Sequence, residues 1–241
     1  MKGPAGIFLT AEWRHLAMLN YDIDPSVLVP LVPAGTELDQ FSGRTMVSLV
    51  GFLFLNTRVL GIPIPLHRDF EEVNLRFYVR RKADDGWRRA VVFVKELVPR
   101  FAIAATARAL YGENYAAVPM SHKIASVRDQ SGEDRQRVSY DWRIRGRNNS
   151  LRVAVHGKPL EVDAGSEAEF ITEHYWGYSR RANGSATEYR VAHPRWRVRS
   201  ADEAQFVGEV AELYGREFVS ALQGPPNSAF LAEGSEVTVF M

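Results

Sequence analysis

The chain has 241 residues, 46% hydrophobic and 24% charged, and its 30 basic and 29 acidic side chains leave a net charge of +1. These values suit a folded globular protein, and they exclude wholesale disorder, a collagen-like fibre, a long coiled coil and recruitment of nucleic acid or anionic membrane by a strong overall field. Cysteine is absent, which removes disulfides, thiolate nucleophiles, zinc ribbons and iron–sulfur clusters together.

From the N-terminus, the chain reaches Glu12, Arg14 and His15 before any long apolar run develops, unlike a secretory signal. The longest apolar-rich stretch, residues 47–55, contains Ser48 and Gly51 and falls short of the roughly 20 residues a membrane helix needs. A cytoplasmic protein is the expectation. Residues 44–54 are apolar on both sides through Met46, Val47, Leu49, Val50 and Phe52, as in a strand buried on both faces. Ile62-Pro63-Ile64-Pro65 reads as a loop, because proline cannot donate to a central ladder.

Residues 70–81 alternate. Val73, Leu75, Phe77 and Val79 share one face, and Glu72, Asn74, Arg76, Tyr78 and Arg80 share the other. Asp84-Asp85-Gly86 marks a turn, with residues 87–97 as the returning strand of a hairpin. Residues 101–111 are alanine-rich and end at Gly112, which suits a helix. A second hairpin joins 119–127 to 137–145, and 151–156 is a further strand.

Ser166 and Glu169 have capping-box spacing and open a short helix, and Asn183-Gly184 marks a hairpin between 175–181 and 187–193. Ser200 and Glu203 form a second capping box, whose helix carries Phe206, Val207, Val210, Leu213 and Tyr214 and ends at Gly215. The tail reads as two short strands around Glu233-Gly234. Roughly ten strands with two or three scattered helices favour a mostly β, closed or barrel-like domain spanning residues 1–241 over a βαβ series.

No GxGxxG, GxxxxGK[ST] or GxSxG is present, so dinucleotide, P-loop and nucleophile-elbow readings fail. The six histidines show no HxH or HExxH spacing, and Glu12-Trp13-Arg14-His15 is a lone Glu-x-x-His where a di-iron bundle needs two. No metal or cofactor is expected. Arginine clusters at 80–82, 88–89 and 135–147 fall at hairpin ends, where charge discourages edge pairing. In an open sheet the row Glu72, Asn74, Arg76 and Tyr78 would face water. In a small barrel it would line a cavity, with arginine ready for a ligand carboxylate.

At this row the chain resembles the DUF2071 (YqjF-like) family, a group placed near acetoacetate decarboxylase. The resemblance is carried by Phe70-Glu71-Glu72-Val73-Asn74-Leu75-Arg76-Phe77-Tyr78-Val79 and continues in Trp13-Arg14-His15-Leu16, the proline-containing 24–39 stretch and Val47-Ser48-Leu49-Val50-Gly51-Phe52. Further along it includes Ala107-Arg108-Ala109-Leu110-Tyr111, the 170–178 segment and His193-Pro194-Arg195-Trp196. It implies an antiparallel, acetoacetate-decarboxylase-like β-barrel with a few peripheral α-helices and an internal cavity.

The decarboxylases' strand glutamate carries over to Glu72, and their Gly-Arg-Glu segment matches only at Arg108. Tyr115 and Ala116 stand where the Schiff-base lysine and its pKa-lowering neighbour would be. Without an amine there is no imine, hence no electron sink for decarboxylating a β-keto acid. The five lysines are Lys2, Lys82, Lys95, Lys123 and Lys158, and of these Lys95 and Lys123 come nearest in sequence.

Two readings remain open. One is an enzyme on a small organic acid or carbonyl compound, with Glu72 as acid or base, Tyr115 or His122 as proton donor, and Arg76 or Arg108, with Asn74 and Tyr78, binding the substrate. The other is a non-catalytic ligand-binding or interaction module on the same fold. The expected partner is a small, anionic molecule, with homo-oligomerisation open and neither nucleic acid nor membrane involved.

Overall fold

The computed structural model describes residues 6–65, 67–100, 114–128, 134–181 and 185–241. Strand makes up 62% of them and helix 11%, so the mostly β expectation holds. Strands are numbered in chain order. Seven of them, β1 (Ile7–Asp22), β3 (Met46–Val59), β5 (Phe70–Ala83), β6 (Gly86–Val98), β11 (Trp176–Arg180), β12 (Ala186–Ala192) and β14 (Ser228–Phe240), follow one another in that order. Because β14 also pairs along β1, the sheet partly closes into a ring. All these pairings are antiparallel except β6 with β11, a short parallel contact at Ala90 and Val91. Three short single strands add to it: β2 (Glu37–Leu38) on β5, β4 (Ile62–Pro63) on β3 and β7 (Tyr115–Ala117) on β6.

From β14 the network continues through β13 (Val198–Val207) to β10 (Arg147–His156), β9 (Asp134–Ile144) and β8 (Met120–Arg128). This second sheet packs on the outer face of β1, β3 and β5, and the arrangement explains the two-sided apolar sequence of β3. Its even residues Met46, Val50, Phe52 and Phe54 join the core inside the ring. Its odd residues Val47, Leu49 and Leu53 join a core shared with Val138, Tyr140, Trp142, Leu151 and Val153 of the second sheet. Gly51 is what lets the two sheets approach, since a Cβ there would lie 2.6 Å from the Tyr140 ring.

The same division settles β5. Val73, Leu75, Phe77 and Val79 are fully buried in the outer core, so Glu72, Asn74, Arg76 and Tyr78 take the inner side. Phe206, expected on a helix, packs against this apolar face from strand β13. The cover is the second sheet together with Leu213, Phe218 and Leu222 from the short helical turns at 210–222, and residues 101–113 lie outside the described residues.

Other expectations fare unevenly. The β5–β6 hairpin pairs Ala83 with Gly86 as its turn signal requires. Ser166 caps the expected helix, Glu167–Thr172, its hydroxyl accepting from Glu169 N–H at 3.1 Å, while the Glu169 carboxylate accepts from Gly165 N–H at 2.7 Å. Strands β11 and β12 pair as foreseen, while Asn183-Gly184 lies outside the described residues. The helix expected from Ser200 does not form. Residues 198–207 are strand β13, bound to β10 from Ser150 to Val155, and only Val210–Leu213 is helical. The tail is one strand, not two. Gly234, at φ +76°, sits opposite Arg14, where a Cβ would lie 1.9 Å from the Trp13 carbonyl oxygen. The alternation of strand β1 is interrupted at His15, at φ 55°, where its register with β3 slips between Arg14 and Ala17. Among the described residues no helix is long and apolar enough to cross a membrane.

Candidate active site

The inner faces of the ring enclose a cavity of about 220 Å³. Strand register fixes the order of side chains along it. Phe54 pairs with Phe70, Phe52 with Glu72, Val50 with Asn74 and Ser48 with Arg76, all with even, inward-facing numbers. An aromatic group therefore occupies one end and Arg76 the other, with Glu72 and Asn74 between.

The aromatic end is built around Trp13. Its ring meets Phe52 at 5.4 Å, Phe54 at 5.7 Å and Trp196 at 6.3 Å, all edge-on, and Phe54 stacks on Phe70 at 4.7 Å. These are the separations that aromatic quadrupoles favour.

The polar stretch combines three strands. Asn74 Nδ2 donates to Glu72 Oε1 at 3.0 Å, and the Tyr115 hydroxyl of β7 stands 3.5 Å from Glu72 Oε2. Glu96 of β6 faces Asn74 across the register and is almost wholly buried. Its position depends on a bulge. Phe93 pairs with Arg76 and Lys95 with Leu75, so Val94 is the extra residue and the alternation of β6 changes phase there. Strict alternation from Phe93 would have turned Lys95 inward. Instead Glu96 lines the cavity, and Lys95 Nζ donates to the Leu213 carbonyl on the outer side at 3.0 Å. Burial, with the charge of Arg145, holds the Lys95 pKa below its ordinary value. Lys123 is exposed on β8. Among the described residues no lysine lines the cavity.

At the far end Arg76 Nη2 donates to the Ile171 carbonyl at 3.0 Å, while its buried Nε has no hydrogen-bond partner. Among the described residues Arg76 has no ion pair. Beside it lies His174, buried and tilted against Tyr78 at 4.8 Å. Burial, followed by the charges of Arg89 and Arg76, holds the His174 pKa well below its usual value, so the ring is neutral at physiological pH.

Of the residues singled out in the sequence, Glu72, Asn74, Arg76 and Tyr115 meet in this cavity. Tyr78 shares their face, but its hydroxyl is bonded to Ser48 Oγ, which in turn donates to Asn20 Oδ1 at 2.6 Å, and it forms part of the surrounding wall. His122 stands apart: it is half exposed on β8, with Nδ1 2.7 Å from Glu71 Oε1 on the other face of β5. Arg108 lies outside the described residues. Glu96, His174 and Trp13 also line the cavity, although the sequence does not mark them as site residues. Glu96 was hidden by the bulge, and Trp13 by the break at His15.

A sequence profile for DUF2071, described as an uncharacterized conserved protein, matches residues 10–236. The uncharacterized protein YqjF of Bacillus subtilis is 27% identical over 220 residues, covering 88% of this chain and 84% of that one. Among solved structures, acetoacetate decarboxylase from Legionella pneumophila aligns over 98% of this chain and 86% of its own, at TM-score 0.62 and 12% identity. An acetoacetate decarboxylase-like enzyme from Sphingomonas wittichii RW1 gives 0.63 at 12% identity, covering 98% and 91%. The enduracididine biosynthesis enzyme MppR complexed with pyruvate gives 0.64 at 10% identity, covering 98% and 88%. At these identities the solved structures speak for the fold.

Proposed function

The chain belongs to the DUF2071 family, and on that footing we propose that its ring cavity binds a small organic acid or carbonyl compound and moves a proton on it without an imine intermediate. One observation carries this reading: Arg76 lines a mainly apolar cavity with no carboxylate partner among the described residues and an unused buried Nε–H. An unpaired guanidinium in such a place is costly unless an anion joins it, and a carboxylate is the group its planar fork fits best. Ligand-complexed relatives of the same fold, MppR with pyruvate among them, lend support by analogy.

Glu72 is the acid–base group of this reading. Asn74 orients one of its carboxylate oxygens, and Tyr115 stands within reach of the other, so a proton passed between Glu72 and a bound carbonyl compound has a hydroxyl nearby to steady the developing charge. Among the described residues no amine for imine chemistry lines the cavity, since Lys95 points outward and Lys123 is exposed. Acetoacetate should accordingly release no carbon dioxide above background, and borohydride should trap no adduct. A covalent adduct on Lys95 would contradict this.

Calorimetric titration with a panel of carboxylic acids tests the binding half. The Arg76→Ala chain should bind the best acid about 10- to 100-fold more weakly, as expected for losing a charge-assisted pair. Unchanged affinity in that variant would overturn the assignment. If the tightest acid binds but is never turned over, the non-catalytic module replaces the enzyme.

A further inference from the structure

Resting on the acid-binding reading, we infer that the ligand is an aromatic hydroxy acid: a carboxylate, a hydroxyl on a neighbouring carbon, and an aromatic ring beyond it. The inference comes from three features met in sequence along β5.

The first is Arg76, whose free Nε–H calls for an anionic acceptor. The second is Asn74, two residues along the same face, or about 7 Å at strand spacing. Its amide orientation is fixed, because Nδ2 donates to the Glu72 carboxylate. Oδ1 then remains as an acceptor without a partner, and the side chain is 98% buried, with 2% exposure. A buried acceptor left open costs free energy that a ligand donor recovers. A plain fatty acid or aryl acid has no donor to offer it; a hydroxyl has.

The third is the aromatic end. Opposite Asn74 stands Val50, then Phe52 opposite Glu72, with Trp13 edge-on to Phe52 and Phe54. An acid as small as lactate or pyruvate would leave these rings facing empty space. An apolar cavity of about 150 Å³ holds one benzene ring. The 220 Å³ here therefore suits a ring together with a short polar group.

The test is calorimetry on the full chain with three probes: 3-phenyllactate, 3-phenylpropionate, which lacks the hydroxyl, and lactate, which lacks the ring. The expected order puts 3-phenyllactate about 10- to 100-fold tighter than lactate, from burial of the ring. It should also bind about 3- to 10-fold tighter than 3-phenylpropionate, from the bond to Asn74 Oδ1. In Asn74→Leu the second ratio should fall to about one while the first persists. Should that variant fail to fold, the two ratios in the unaltered chain decide by themselves. Equal binding of lactate and 3-phenyllactate overturns the ring and leaves the acid site standing. Equal binding of the two phenyl acids overturns the hydroxyl. If none of the three binds, the inference falls together with the acid-binding reading.

Discussion

His174 shows most simply how burial at one residue becomes a property of the whole fold. Its pKa is held below the ordinary 6.5 by burial first and by Arg89 and Arg76 next. The unfolded chain therefore takes up a proton on acidification before the folded one does. Its contribution to stability is complete above about pH 6.5 and is lost as pH falls below that value, at up to about 1.4 kcal/mol per pH unit. His15 and His193 are shifted the same way, burial again being the main cause, and add to the same slope. Urea midpoints measured from pH 7.5 to 5 should fall steadily, and His174→Leu should fall less steeply. An identical slope in that variant would show that the histidine is charged or exposed in the folded protein. None of this could be read from the sequence, where His174 is one of six scattered histidines.

Among the elements, β5 was legible because it is buried on both faces by different materials. A strand with four apolar residues on one side and Glu72, Asn74 and Arg76 on the other leaves only one orientation once a second sheet claims the apolar face. Strands β1, β6 and β14 were less legible, for one shared reason. Each carries a local irregularity that alternation cannot foresee: a register slip at His15 in β1 and at Val94 in β6, and the positive φ of Gly234 in β14. The helix expected from Ser200 to Gly215 fails as far as Val207 for another cause: its apolar spacing suits a helix, but pairing with β10 and β14 and the stacking of Phe206 on Trp142 at 6.1 Å favour a strand. The contact between sheets makes its own prediction. Gly51→Ala drives a methyl to within 2.6 Å of the Tyr140 ring, and should cost about 1–3 kcal/mol as overpacking. Because Gly51 faces away from the cavity, acid affinity in the folded variant should stay within about twofold. A denaturation midpoint equal to that of the unaltered chain would mean that the two sheets do not meet there.

Over the whole molecule, two cores share one wall. The outer one, between β1–β3–β5 and the second sheet, is filled by close-packed aliphatic and aromatic side chains. The inner one keeps a 220 Å³ opening with Arg76, Asn74 and Glu72 along its side. A ligand that enters the ring binds the folded chain alone, so at 100 times its dissociation constant it should stabilise the fold by about 2.7 kcal/mol. Thermal unfolding with and without acid reads that linkage, and at the same acid concentration Arg76→Ala should cut the stabilisation to about 0.4–1.4 kcal/mol. The most direct test is a crystal structure of the chain with 3-phenyllactate. The carboxylate should lie in hydrogen-bond contact with the Arg76 guanidinium and the ring against Phe52 and Trp13. Density for the acid only on the outer sheet, or a carboxylate turned away from Arg76 inside the ring, would contradict it.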